Sequence, residues 1–168
     1  MKKMKKYELT TNTIVHNGRT LYQIKALMNF GIIREGDLGG YIESEKNLSQ
    51  EGNAWVSGNA SVSDNAWVSG NARVSGNASV SDDAWVSRNA DYTTIKGFGT
   101  EYRNTTFFRC KDGNVRVTCG CFCGTVEEFR EQVKRTRTGK IAEEYLMIAD
   151  LMEFRVCQVF CVSFFISW

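Results

Sequence analysis

From Ala54 to Asp91 the chain repeats a six-residue unit with little drift: AWVSGN over 54–59, ASVSDN over 60–65, AWVSGN over 66–71. In each unit an Ala and a Val stand two apart, as Ala54/Val56, Ala60/Val62, Ala66/Val68, Ala72/Val74, Ala78/Val80 and Ala84/Val86. Alternate residues of an extended strand share a face, so these small aliphatic side chains are expected to line the interior. The residue between them changes freely (Trp55, Ser61, Trp67, Arg73, Ser79, Trp85, Asp91) and is expected to point outward. Ser-Gly-Asn or Ser-Asp-Asn then supplies the bend that ends each short strand. The chain contains no proline, so every corner depends on Gly, Asn or Asp to reach unusual backbone angles. A chain with one strand and one corner per unit coils.

A longer period sets how it coils. Residues 48–65, 66–83 and 84 onward align so that Trp67 falls over Trp85, Ser61 over Ser79 and Asp64 over Asp82, with Trp55, Arg73 and Asp91 in a third column. Three units therefore make one turn. Disorder would be the alternative for so much Ser, Asn and Gly, but disorder does not demand Val and Ala in strict phase. Stacked turns have the cross-β spacing of about 4.8 Å, so their ends need covering against fibril growth.

This pattern resembles the hexapeptide-repeat family, with Ser57, Ser63, Ser69 and Ser75 departing from the family's usual small residue after the aliphatic one. The resemblance implies a mainly β fold built on a left-handed parallel β-helix of triangular section, about 18 residues per coil. Subtracting six from Ala54/Val56 carries the inward phase back through Leu48/Gln50, Ile42/Ser44, Gly36/Leu38, Phe30/Ile32 and Ile24/Ala26. The expected organisation is an N-terminal cap hairpin over 1–23, turning at His16-Asn17-Gly18, the β-helix over 24–95, and a C-terminal α+β module with an apolar tail over 96–168. Large inward residues such as Ile24, Phe30 and Ile32 would close the bore at the N-terminal end.

A closer resemblance lies in GRTLYQIKA at 18–26, GDLGGYIE at 36–43 and NLSQEGNAWV at 47–56. These look like the start of phage, prophage and bacterial hexapeptide-repeat proteins of mostly unassigned role. The run NVRVTCGCFCGTVEEF at 114–129 is similar to a C-terminal module of phage proteins from Gram-positive hosts. In that module Thr106–Cys110 and Val115–Thr118 alternate as a hairpin around a turn at Lys111–Asn114. Thr125 to Glu128 forms a capping box for a helix bearing Phe129 and Val133. A second helix over 141–154 presents Ile141, Tyr145, Ile148 and Met152 on one side. The uncharged tail after Arg155 is too short to span a bilayer, which takes about 20 residues.

Composition narrows the partners. Net charge is +2 over 168 residues, so no global field draws the chain to nucleic acid. The repeat sets only Asp64, Asp82, Asp83 and Asp91 against Arg73 and Arg88, too little charge to mimic DNA. The Lys-rich start (Lys2, Lys3, Lys5, Lys6) runs into Tyr7-Glu8-Leu9 with no apolar segment, unlike a cleaved signal. With that start, six cysteines suggest reduced thiols in the cytoplasm of a bacterial host cell.

Three sets of residues are candidates for chemistry or binding. Many hexapeptide-repeat proteins are acyl-CoA-dependent acyltransferases with a His base, and His16 is the one histidine here. It sits in a hairpin turn outside the repeat, and no insertion between 54 and 91 offers a substrate loop, so a surface turn histidine is the plainer reading. Cys119, Cys121 and Cys123 would face one way on a strand and, with Cys110, supply thiolates for zinc, although one-residue spacing leaves little room to bend round an ion. Buried reduced thiols are the plainer reading there. Trp67 and Trp85 on one wall, and Trp55 with Arg73 beside them, form either an interaction face or a stacking ladder with Arg73 over Trp55. The sum is a non-enzymatic phage or prophage binding or assembly protein needing no cofactor. Family habit implies a trimeric homo-oligomer that meets a host or another phage protein, with inhibition of a bacterial defence system or a phage structural role as variants.

Overall fold

The computed structural model describes residues 4–157. Two strands open the fold, β1 (Tyr7–His16) and β2 (Arg19–Ala26), paired antiparallel from His16↔Arg19 to Tyr7↔Ala26 with a register shift between Leu9 and Thr13. Asn17 and Gly18 both take positive φ, 49° and 77°, the requirement of a tight hairpin turn whose twist suits its strands. Strand β3 (Leu38–Ile42) pairs antiparallel with β2. Six two-residue strands follow in the repeat: β4 (Trp55–Val56), β5 (Ser61–Val62), β6 (Trp67–Val68), β7 (Arg73–Val74), β8 (Ser79–Val80) and β9 (Trp85–Val86).

The expectation of a regular left-handed parallel β-helix over 24–95 is corrected. The strands assemble into mixed sheets, the largest a five-stranded sheet in the order β1-β2-β3-β5-β8. Its first three strands run antiparallel, and only β3, β5 and β8 continue in parallel. The other repeat strands form two separate two-stranded parallel pairs, β4 with β7 and β6 with β9. Two features of the chain cause this. The hairpin at Asn17-Gly18 sends β2 back against β1, so the N-terminal strands pair antiparallel instead of extending the parallel ladders. The backward phase also slips, because Ile33 is buried while the expected inward Ile32 and Leu38 are 70 % and 60 % exposed.

Within the repeat, partners such as Asn53 and Asn71 lie 18 residues apart and join side chain to side chain at 3.1 Å. Asn59 and Asn77 do the same at 3.2 Å, and so do Asn65 and Asp83. The fifth residue of each unit makes the corner: Gly52, Gly58, Asp64, Gly70, Gly76 and Asp82 all have positive φ. Only Gly, and at some cost Asn or Asp, takes that conformation readily. At the same phase Arg88 has φ −138°, and the chain leaves the pattern through a short 3₁₀ turn, Asn89–Asp91. Asp91 is buried there and accepts bonds from Ser87 N, Ser87 Oγ and Arg88 N.

The rest forms a second sheet and a helix pair. Strands β10 (Tyr92–Phe98), β11 (Arg103–Arg109), β12 (Val115–Cys119) and β13 (Phe122–Thr125) make a four-stranded antiparallel sheet in that order. Helix α1 (Val126–Thr136) starts from the Thr125 capping box, and α2 (Gly139–Cys157) packs against it and the sheet. Of the hairpin expected over 106–118, β11 and β12 are present, flanked by two strands the sequence reading missed.

Two cores result. One joins the Ala and Val of the repeat to Tyr7, Ile24, Ile42, Trp55 and Phe108. The other packs Phe107, Val117, Phe129, Val133, Tyr145 and Ile148 between the second sheet and the helices. Among the described residues no helix is long and apolar enough to cross a membrane. The apolar tail lies beyond the described residues from 158 onward.

Candidate functional site

Parallel pairing of β6 with β9 sets Trp67 directly beside Trp85. The indoles stack at 6.2 Å between ring centroids with 23° between planes, and they remain 42 % and 44 % exposed. Val68 and Val86 alternate with them and are fully buried, which anchors the aromatic face to the core. The pair walls a groove of about 280 Å³ completed by Asn65, Asp83, Ala84 and Lys111. Lys111 N donates to Asp83 O at 3.0 Å, so the turn after β11 delivers a lysine to the rim of the repeat. Asp83 also accepts from Asn65 at 3.2 Å, while Lys111 has no ion-pair partner among the described residues.

The neighbouring column does not join this face. Trp55 is 2 % exposed, covered edge-on by Phe30 at 5.4 Å and Tyr7 at 6.4 Å. Strand β3 also packs on it, where a side chain at Gly39 would meet Trp55 Cζ2 at 2.7 Å. The expectation that Trp55 presents an exposed indole is therefore corrected, the N-terminal strands having claimed it for the core. Arg73 is half-buried, its backbone N taking Asn89 Oδ1 at 2.8 Å and its carbonyl accepting the Tyr92 hydroxyl at 2.7 Å. The cation stacked on a ring is not Arg73 over Trp55 but Lys6 over Phe30, at 4.9 Å.

The cysteines are separated by a turn. Gly120 has φ +62°, and the chain folds back so that Cys119 ends β12 opposite Phe122 while Cys123 lies on β13 opposite Thr118. The expectation of a single strand carrying Cys119, Cys121 and Cys123 is thus corrected. Cys119 accepts from Thr105 Oγ1 at 3.2 Å, and Cys123 lies 3.6 Å from Ser81 Oγ. Cys110 is buried beside β9, bridged to Ala84, and burial pushes its thiol up to about 12. Cys121 is exposed. Among the described residues no group of three or more His, Cys, Asp or Glu side chains is arranged to hold a metal ion.

His16 reaches further than a surface turn. The β1–β2 turn lays its imidazole Nε2 3.2 Å from Ser79 Oγ on β8. Both border a polar cleft of about 460 Å³ that extends to Lys96, Glu101, Tyr102 and Arg103 of the β10–β11 hairpin. Its wall is held by hydroxyls: Thr118 Oγ1 donates to Ser79 O at 2.7 Å, and Ser79 N donates to Thr106 Oγ1 at 3.1 Å. Sequence reasoning missed this cleft because its walls come from segments more than sixty residues apart, the His16–Ser79 separation being 63. The one signal available was the turn itself, which fixes where His16 must lie.

The chain matches no known protein-family profile and no curated protein.

Proposed function

We propose that the protein is a non-enzymatic binding or assembly protein of the phage or prophage type that its segments at 18–56 and 114–129 resemble. Its mixed-sheet body acts as a rigid support, and the Trp67–Trp85 face seats a second copy of the chain. The observation that carries this reading is the stacked pair of half-exposed indoles on a fully buried aliphatic backing. Exposed apolar area gains roughly 25 cal/mol per Å² when covered, and tryptophan is among the residues that most often anchor interfaces. The rim supports a copy of the same chain as the occupant. It carries one carboxylate, Asp83, and one ammonium, Lys111, so the patch is neutral, and copies of it converging on a common axis present each charge to its opposite. In a closed three-fold ring, the order the hexapeptide resemblance favours, Lys111 of one copy meets Asp83 of the next.

The wider role follows from resemblance: an assembly in the bacterial cytoplasm that engages a host factor, including one of a defence system, or another phage component. Light scattering of the purified chain tests the first step. The expected result is a stable oligomer, three chains being the favoured order, that Trp67→Ser with Trp85→Ser dissociates while the β signature in circular dichroism is kept. A monomer in the unaltered protein, or an unchanged mass in the double variant, overturns it.

A further inference from the structure

The cleft beside His16 takes no part in the tryptophan face, and its chemistry is of another kind. Two cations, Lys96 and Arg103, line it, and neither has an ion-pair partner among the described residues. Among the described residues Glu101 is the one carboxylate on the lining, so Lys96 and Arg103 leave the cleft net positive. Neutral donors add to this. Asn77 Oδ1 is already engaged by Asn59, which leaves the Asn77 amide N–H groups to face a ligand, and Ser79 Oγ stands at His16. Cations, amide N–H groups and hydroxyls together are what a phosphate requires.

Tyr102 supplies a different feature. It lines the same cleft, is 65 % exposed and has φ +47°. A bulky residue in the left-handed region is a backbone outlier, and such strain collects at ligand sites. Gly97 and Gly99 of the same hairpin also have positive φ, so the turn that carries Tyr102 has a tightly bent backbone. A tyrosine ring kept in water beside a cationic, donor-lined surface offers a stacking plane for a flat heterocycle. A volume of about 460 Å³ falls within the roughly 300–1,000 Å³ of small-molecule sites.

We propose that this cleft binds a mononucleotide. Its phosphate lies against Lys96 and Arg103, its base on Tyr102, and its ribose hydroxyls within reach of Glu101, the acceptor that otherwise has no role on a cationic surface. The proposal stands apart from the tryptophan face, and the Trp67→Ser, Trp85→Ser protein keeps the site.

Calorimetry on the full chain tests it with AMP, GMP, CMP and UMP, each beside its nucleoside, and with inorganic phosphate. At least one nucleotide is expected to bind, with its nucleoside and phosphate each roughly tenfold weaker or more. Lys96→Ala with Arg103→Ala lowers that affinity by roughly tenfold or more. Tyr102→Asn, which tolerates the left-handed conformation, weakens the nucleotide while leaving inorganic phosphate unchanged. Absence of heat with all four nucleotides overturns the proposal. So does a nucleoside or phosphate binding as tightly as the nucleotide, or unaltered nucleotide affinity in Tyr102→Asn.

Discussion

Lys6 carries its ammonium into the interior at 3 % exposure, where Nζ donates to Ala54 O at 2.9 Å and to Glu51 O at 3.4 Å. Burial pulls its pKa down to about 8, since carbonyls replace water only in part. Between pH 8 and about 10.5 the unfolded chain holds a proton that the folded one has lost, so stability rises with pH across that window, by up to about 3 kcal/mol. Beside it Tyr7, donating to Leu48 O at 2.7 Å, has its phenol raised far above the ordinary range by burial and then by the charge of Glu45. Above pH 10 the unfolded phenol ionises while the folded one does not, and stability falls. Urea unfolding from pH 7 to 11 should show a maximum near pH 10, and Lys6→Met should remove the rise below it; a flat profile in the unaltered protein would contradict the assignment. Gly40 shows the opposite constraint, one of space. A Cβ there meets Ala60 O at 2.6 Å and Val56 Cγ1 at 2.8 Å, so Gly40→Ala is expected to cost about 1–3 kcal/mol. Gly76 has φ +71° with nothing within 4 Å of an added Cβ, and Gly76→Asp merely repeats what Asp64 and Asp82 do at the same phase. Thermal denaturation should separate the two variants clearly.

At the scale of elements, the local signals proved the most legible. Thr125 Oγ1 accepts from Glu128 N at 3.1 Å while the Glu128 carboxylate accepts from Thr125 N at 2.8 Å, the reciprocal pair expected from the spacing alone. Thr125→Ala should cost about 1 kcal/mol and fray the first turn of α1, measurable as a lower midpoint in thermal denaturation with earlier amide exchange at Val126 to Glu128. Other elements depended on distant segments and were not legible. The Val of each repeat unit is buried whatever surrounds it, because it faces its own interior. Trp55, Trp67 and Trp85 are chemically identical at equivalent positions, and their fates differ because Tyr7, Phe30 and strand β3 arrive over the first. A hexad cannot report a lid supplied forty-eight residues earlier, where Lys6 binds Ala54. For the same reason the antiparallel continuation through β2 and β3 escaped the periodic reading, and so did β10 and β13. At Cys119 to Cys123 alternation suggested one strand, whereas the glycine at 120 was the stronger message: it turned the chain.

For the whole molecule, β11 is the wall between two interiors. Phe107 and Phe108 are adjacent and both fully buried, yet pleating sends Phe107 into the helix-backed core and Phe108 into the core of the repeat. Arg109 next to them reaches in both directions, donating to Val156 O at 2.7 Å while lying 3.9 Å from Asp91. The second sheet thus closes the C-terminal end of the repeat as the β1–β3 strands close the other, and both ladder ends are kept from pairing with further strands. What stays open is the lateral face at Trp67 and Trp85, through which the chain is expected to associate. Hydroxyl-radical footprinting across a dilution series reads that association residue by residue. Trp67, Trp85 and Lys111 are expected to lose reactivity together as the chain associates, with Trp55 silent throughout; indoles at 67 and 85 that oxidise equally at every concentration would rule out association through this face.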